Sequence, residues 1–529
     1  MLLALSGVQI GEEAGALVAC LAVAGAFVLR SPRGRALSLL AALALAPLLV
    51  IVELRGTPQV VALLDAPLLA AAALVVGVAS VAALAALFVR RPSAVAVAAV
   101  LTVPFRVPIA AGGDSANLLV PLYLVVGAGG LAHAWARLRR GGAPAQDQPP
   151  GRLELALLAA LVLYAAQAAY TTDFAQALEN LAFFYLPFAL LVRLLAGVDW
   201  TPRLLRVCLG VAVALAAAFV AVGFVEYATR TLLLNPKVSA SNQFESFFRV
   251  NSLFFDPNIY GRFLVMVMLA VSAVLLWAGE RRTALAAGAV LALLWAGLLL
   301  TFSQSSFTAL LVGLAVLAAL RWGTRPVLVA GAAAVVATTA FVVLGQGLLR
   351  LELGSADSVD RATSGRFDLM RGGVALWAER PVFGHGSGSF SERFTDREDA
   401  SPQAAVAASH TIPITVAAEQ GLVGLAAYLA VLGSAAGLLG AGLGSLRERA
   451  PPELVARAAL AACFAGLVVH TLLYASFLED PITWTLLGAA LGLSGRGSPM
   501  GEASPHARRA ESPSPAAAPA RTRTGSSSR

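Results

Sequence analysis

Ser409-His410-Thr411-Ile412-Pro413-Ile414-Thr415-Val416-Ala417-Ala418-Glu419-Gln420-Gly421-Leu422-Val423-Gly424 marks the end of the longest polar interruption in the chain and the return of apolar helix. A proline in the first turn costs a helix no internal hydrogen bond and presets its φ. The spacing therefore predicts a helix start at Ile412-Pro413, with His410 just outside it at a water–membrane boundary. Upstream, residues 346–412 carry Arg350, Arg361, Arg366, Arg371, Arg380, Arg393 and Arg397 among acidic residues. The remainder of the chain reads almost entirely as apolar runs.

Those runs set the fold class. The 529 residues are 58% hydrophobic and 13% charged, with mean hydropathy +0.79, whereas soluble domains are about 25% charged. Apolar stretches of about 20 residues are the length of a transmembrane helix. They predict spans at 14–30, 36–53, 66–89, 93–111, 117–137, 153–170, 179–197, 204–227, 259–279, 283–301, 305–320, 326–345, 413–440, 454–477 and 481–495. The predicted fold is all-α: a polytopic membrane helical bundle with one large loop between the twelfth span and the final three. The organisation that follows is N-terminal helices over 1–203, helices with an arginine-bearing loop over 204–345, the large loop over 346–412, three helices over 413–495, and a Ser/Pro/Ala/Arg-rich basic tail over 496–529, whose composition predicts disorder.

Arginines at alternate span ends orient the bundle. Arg30, Arg33 and Arg35, then Arg90 and Arg91, then Arg137, Arg139 and Arg140, and onward to Arg447 and Arg449, fall on one side, which the positive-inside rule makes cytoplasmic. The N-terminus and the 346–412 loop are then extracytoplasmic, and the tail is cytoplasmic. In a polytopic chain the +8 net charge reflects such loops and implies no nucleic-acid partner. No basic n-region precedes the first apolar run, so no cleavable signal is predicted. Cys20, Cys208 and Cys463 lie inside apolar runs and read as small packing residues. No Cys/His cluster with metal-ligand spacing is present, so neither a metal nor a cofactor is expected.

Arginines on the outer side need another reason. Arg249 stands in Phe247-Phe248-Arg249-Val250-Asn251-Ser252-Leu253-Phe254-Phe255-Asp256-Pro257-Asn258, whose Asp-Pro-Asn is a helix-start signal; Arg262 follows on the first turns of the next helix. Both read either as snorkelling interface anchors or as an anion site, since the guanidinium fork matches phosphate oxygens. Thr301-Phe302-Ser303-Gln304-Ser305-Ser306 is a polar turn between two spans or a cavity lining. In the large loop, Thr363–Glu379 reads as a helix with an apolar stripe of Phe367, Met370, Val374 and Trp377. Pro381 stops it, and Gly384, Gly386 and Gly388 follow as a turn. Arg366 sits near its start, where an anion is favoured. Among the histidines, His470 inside an apolar span reads as a hydrogen-bonded packing residue, His385 lies in the glycine turn, and His410 alone combines a helix start with the boundary depth.

These residues resemble the O-antigen ligase and O-antigen polymerase family of bacterial membrane proteins. The resemblance rests on His410-Thr411, nine residues, then Gly421-x-x-Gly424. It rests also on Arg366…Trp377…Arg380-Pro381-Val382-Phe383-Gly384-His385-Gly386, on Arg249 ahead of Asp256-Pro257-Asn258, and on three spans after the large loop. It covers about Leu204 to Leu493. Thr411 stands where Asn, Ser or Gln is usual, and Ser306 where an arginine often follows the Ser-x-Ser turn, so no phosphate role is carried to that position. The resemblance implies a multi-pass glycosyltransferase of the bacterial cytoplasmic (inner) membrane. It would move or polymerise a glycan from an undecaprenyl-diphosphate carrier onto a glycan or lipid acceptor hydroxyl, without metal. His410 would be the general base, and Arg249, Arg366 and Arg262 would contact the donor. Glu419, about half a turn off the face of His410, is expected to bind substrate or meet another span. The alternative is a transporter or flippase of a lipid-linked oligosaccharide, which calls for paired broken helices or an internal repeat; neither is evident in the sequence.

Overall fold

A computed structural model describes residues 2–54, 60–61, 65–111, 114–139, 149–234, 248–333, 366–398, 411–446, 450–474 and 476–495. In chain order these form α1 (Leu2–Val28), α2 (Pro32–Leu54), α3 (Pro67–Arg90), α4 (Ala94–Thr102), strands β1 (Val107–Ala111) and β2 (Asp114–Leu118), α5 (Val120–Arg139), α6 (Arg152–Gln167), α7 (Phe174–Glu179), α8 (Leu186–Ala196), α9 (Pro202–Thr229), α10 (Pro257–Leu276), α11 (Arg281–Leu299), α12 (Gln304–Trp322), α13 (Arg366–Glu379), α14 (Phe390–Glu398), α15 (Ile412–Gly440), α16 (Pro452–Leu473) and α17 (Pro481–Ser494). The chain is a multi-pass helical membrane bundle.

The helix starts follow the sequence signals. Proline occupies the first turn of α9, α10, α15, α16 and α17. The side chains of Thr201, Asp256, Ser303 and Asp480 accept backbone N–H groups left over at three of these starts, α9, α10 and α17, and at that of α12, the ordinary remedy for unpaired first-turn donors. Small residues let the helices close on one another: α12 crosses α16 where a side chain on Gly466 would meet the Ala309 carbonyl at 2.8 Å. Such close approach drives helix association in membranes.

Eleven described helices are long and apolar enough to cross a membrane, where the sequence predicts fifteen spans. The reasons are local. The span expected over 93–111 is the nine-residue α4, about half of a ~30 Å hydrocarbon core at 1.5 Å per residue. Pro104 and Pro108 deny the chain two helical N–H groups, and 107–111 instead pair antiparallel with 114–118. That hairpin is the one β element among the described residues of an otherwise helical fold. The last expected span is the short α17 of 14 residues. The span expected over 326–345 is helical through residue 333, and its remainder lies outside the described residues. Between α7 and α8 the helix widens into a π-turn, Asn180–Tyr185, and the Tyr123 hydroxyl donates to the Phe183 carbonyl at 2.7 Å.

In the large loop, α13 ends before Pro381 as the sequence predicts, and its expected start at Thr363 lies outside the described residues. Its buried face is not the expected stripe. Leu369 and Leu376 pack with Phe390, Phe394 and Ala418, while Met370 and Val374 are exposed. The buried face lies one position before the expected one because the helix packs on α14 and α15 through Leu369 and Leu376.

Candidate functional site

Two assemblies surround the start and middle of α15. The first is a clamp between the loop and the helix. At Gly421 the helix opens, with φ 65° and ψ −162°, a region essentially closed to residues with a side chain. Residues 381–386 fill the opening. Leu422 N–H donates to Pro381 O at 2.8 Å and Val423 N–H to Val382 O at 3.3 Å. In return His385 N–H donates to Ala418 O at 3.1 Å and Gly386 N–H to Glu419 O at 2.8 Å. The backbones touch, so a Cβ on Gly421 or Gly384 would collide with the opposite main chain. From α6 and its end, Gln167 Nε2 donates to the carbonyls of Phe383 and Gln420, both at 3.2 Å, and the Tyr170 hydroxyl to Phe383 O at 2.7 Å.

Glu419 completes the clamp. Its carboxylate accepts Gly388 N–H at 3.0 Å and Phe390 N–H at 3.1 Å, capping the start of α14. It therefore meets the loop, not another span as expected, and is 7% exposed. His385 is held by the same turn: its Nε2 lies 3.0 Å from Leu376 O and 3.6 Å from a Glu379 oxygen. Burial pushes the His385 pKa down; the Leu376 carbonyl opposes that, and Arg380 and Arg393 reinforce it.

The second assembly is a network of side chains from distant parts of the chain. Arg249 is half-buried; its Nε donates to Thr301 O at 3.0 Å and its Nη2 to Asn258 Oδ1 at 3.2 Å. The Ser303 hydroxyl bonds those of Ser306 at 2.8 Å and Ser305 at 3.2 Å. Ser305 and Ser306 both reach His470 Nε2, at 3.2 and 3.3 Å respectively. Arg262 Nε donates to His470 Nδ1 at 3.2 Å. Nδ1 thus accepts and Nε2 carries the proton, which defines a neutral imidazole. Arg262 Nη1 donates to Asp480 Oδ2 and, at 3.2 Å, to Ser476 O, and its guanidinium lies 5.8 Å from the Tyr474 ring centre. Tyr474 in turn is hydrogen-bonded to Asp256.

Arg262 is 1% exposed. The interface-anchor reading fails, because a snorkelling head must reach water. Its fork is committed to His470, Ser476 and Asp480, so it orders the network. His470 is the buried, hydrogen-bonded residue the sequence predicts. The Thr301–Ser306 stretch does more than turn: its hydroxyls link Arg249's neighbourhood to Arg262.

Sequence reasoning missed three members. Arg106, between α4 and β1, acts electrostatically on Asp480, Arg262, Tyr123 and Tyr474. Glu479 senses Arg262 and Arg106 and hydrogen-bonds Ser476. Asp480 both caps α17 and pairs with Arg262. The signal for Arg106 was its place beside Pro104 inside an expected span. The signal for Glu479 and Asp480 was a pair of carboxylates between two apolar runs. Charged residues at membrane depth are costly unless paired and mark function by default.

The start of α15 adjoins this network: the Thr411 hydroxyl donates at 3.2 Å to Leu472 O on the last turn of α16, two residues before Tyr474. His410, the preceding residue, lies outside the described residues. Arg366 is the first residue of α13, and its side chain lies outside what is described.

Residues 289–429 match the family model described as O-antigen ligase. The match makes this stretch similar to O-antigen ligase. It runs from within α11 through α12 and the described part of the large loop to the first half of α15, and so contains the main-chain contacts of the clamp at Gly421 but not Gln167 and Tyr170. No curated protein matches the chain. The family supports an enzyme, a membrane glycosyltransferase of the ligase or polymerase type. Among the described residues a span is broken at Gly421, where the sequence showed none; the break is filled by the protein's own loop backbone, unlike the paired discontinuous helices of a transporter.

Proposed function

We propose that this protein transfers or polymerises a glycan from an undecaprenyl-diphosphate carrier onto an acceptor hydroxyl at the outer face of the cytoplasmic membrane, without a metal. The observation that supports the reading best is the match of residues 289–429 to O-antigen ligase, since that stretch holds His410, Arg366 and Glu419 together. His410 takes the proton of the acceptor hydroxyl as its oxygen attacks the anomeric carbon. The bond from that carbon to the diphosphate oxygen breaks, and the carrier diphosphate leaves with its extra negative charge. A positioned base contributes about 10²–10⁴-fold to such a step.

Arg249 and Arg366 stabilise the leaving diphosphate. Preorganised cations in a partly water-excluded site are worth far more than in bulk water, and Arg249 is already oriented by Thr301 and Asn258. Arg262 serves as a positioning residue: its buried pair with Asp480 fixes the helix ends beneath Arg249. Glu419 also acts by position, fastening the loop that carries Arg366 to the helix that follows His410.

The test is reconstitution of the purified protein in liposomes with an undecaprenyl-diphosphate glycan donor and a soluble acceptor. The expected outcome is a covalent glycan–acceptor product or a ladder of repeat units, unaffected by chelator. Movement of the donor across the bilayer with no covalent product would instead support the flippase reading.

A further inference from the structure

Outside the matched segment, a cavity of about 280 Å³ opens at the arginine-rich ends of α3, α5 and α8. That is close to the lower end of ligand-pocket sizes, about 300 Å³. Gly129 and Gly197 stand among its lining residues, and at Gly129 the helices pack closely. A Cβ on Gly129 would stand 2.8 Å from Leu194 Cδ1. Phe88, Val95, Leu194 and Val198 give it apolar walls, and His133 and Arg137 give it one polar end.

That end is ordered. Arg137 Nε donates to His133 Nε2 at 2.7 Å, which fixes the plane of the guanidinium and leaves the imidazole proton on Nδ1. Trp135 and Arg139 place the polar end at the membrane surface. Trp135 is 48% exposed, and Arg139 lies over its ring at 4.3 Å, the pairing of aromatic and cation found at headgroup depth. The surroundings are cationic: Arg90, Arg91 and Arg193 directly adjoin lining residues in sequence, against the single carboxylate of Asp199.

We propose that this cavity binds an anionic phospholipid, with its phosphodiester on Arg137 and His133 and an acyl chain along Phe88, Val95 and Leu194. A soluble phosphate would leave the apolar walls unused, and a zwitterionic headgroup would bring its ammonium toward the surrounding arginines. The site is independent of the glycosyl-transfer reading.

The experiment is native mass spectrometry of the full-length protein released from nanodiscs containing equal amounts of phosphatidylglycerol and phosphatidylcholine. The wild type is expected to retain phosphatidylglycerol about fivefold over phosphatidylcholine, the preference one basic residue near a membrane surface confers. Arg137→Gln should bring the ratio close to one. So should Ala136→Leu, which fills the cavity and keeps every arginine; if its thermal midpoint shows that it misfolds, Ala132→Val takes its place. Loss in Arg137→Gln with full retention in the filling variant would assign the preference to surface charge and overturn the cavity. Equal retention in the wild type and both variants overturns the proposal outright, as does complete displacement of the lipid by millimolar glycerol phosphate.

Discussion

The clamp at Gly421 and the network around Arg262 lie against the middle and the start of α15, and they are held together by opposite means. The clamp is backbone against backbone: four main-chain hydrogen bonds, glycines where a Cβ would collide, and a single carboxylate, Glu419, capping the incoming helix. The network is side chain against side chain, with Arg106, Arg249, Arg262, His470 and Asp480 drawn from five separate segments. A backbone clamp tolerates most changes of side chain, except at its glycines and at the few side chains that bond its main chain, Glu419, Gln167 and Tyr170. A buried charge network tolerates no loss of a single partner, because the charge left behind is uncompensated. The comparison predicts where each region breaks.

The largest effect is expected at Asp480. Asp480→Ala leaves Arg262 buried without its counter-charge and removes the cap of α17, and should destabilise the protein by about 3–5 kcal/mol, read as a lowered thermal midpoint in detergent. Replacing both partners, Arg262→Met with Asp480→Leu, should recover most of that loss. If the double variant is no better than the single one, the pair is not what holds these helix ends.

Gly421→Ala comes next. A residue with a Cβ in this backbone region costs about 1–3 kcal/mol, and here it also meets Val382. The expected result is release of residues 381–390 from α15, seen as faster hydrogen exchange at Gly386 and Leu422, with glycosyl transfer lost. Exchange that stays at the wild-type rate would show that the clamp bears no load.

Arg249→Lys should have a smaller and more selective effect. Lysine keeps the charge and loses the planar fork, so donor KM should rise about tenfold, the worth of one charge-assisted hydrogen bond, with the thermal midpoint unchanged. The reverse pattern would make Arg249 a structural member of the network.

The smallest effect is that of pH on the clamp. The His385 pKa is lowered in the fold from its ordinary 6.5, so the unfolded turn binds the proton more readily than the folded one. Its contribution is full above about pH 6.5 and is lost as pH falls below it. Hydrogen exchange of the 384–390 amides, corrected for intrinsic rates, should quicken on that side, and His385→Gln should remove the dependence. Glu379, 3.6 Å from Nε2, limits the size of the change.

The same contrast explains what was legible in the sequence. Span lengths, proline starts, the loop helix ending at Pro381 and the glycine turn are local signals, and they gave the helical bundle and the residues of the clamp. That Gly384 would meet Gly421's neighbours was not readable, because positive-φ glycines declare a special backbone without naming what fills it. The network was legible only in part. Arg249 and Arg262 drew notice as outer-side arginines, but their partners lie far away in sequence, and nothing local links Arg106 or Asp480 to Arg262. The short α4 was misread for a related reason: apolar composition outweighed Pro104 and Pro108.

The central claim is that His410 is the base of a transfer from a lipid diphosphate. It is tested most directly by single-turnover glycosyl transfer with His410→Ala in liposomes, with donor binding measured in the same preparation. The account predicts unchanged protein level and donor binding, and a transfer rate lower by about 10²-fold or more, with His385→Ala and His470→Ala milder. Transfer by His410→Ala at the wild-type rate would contradict it.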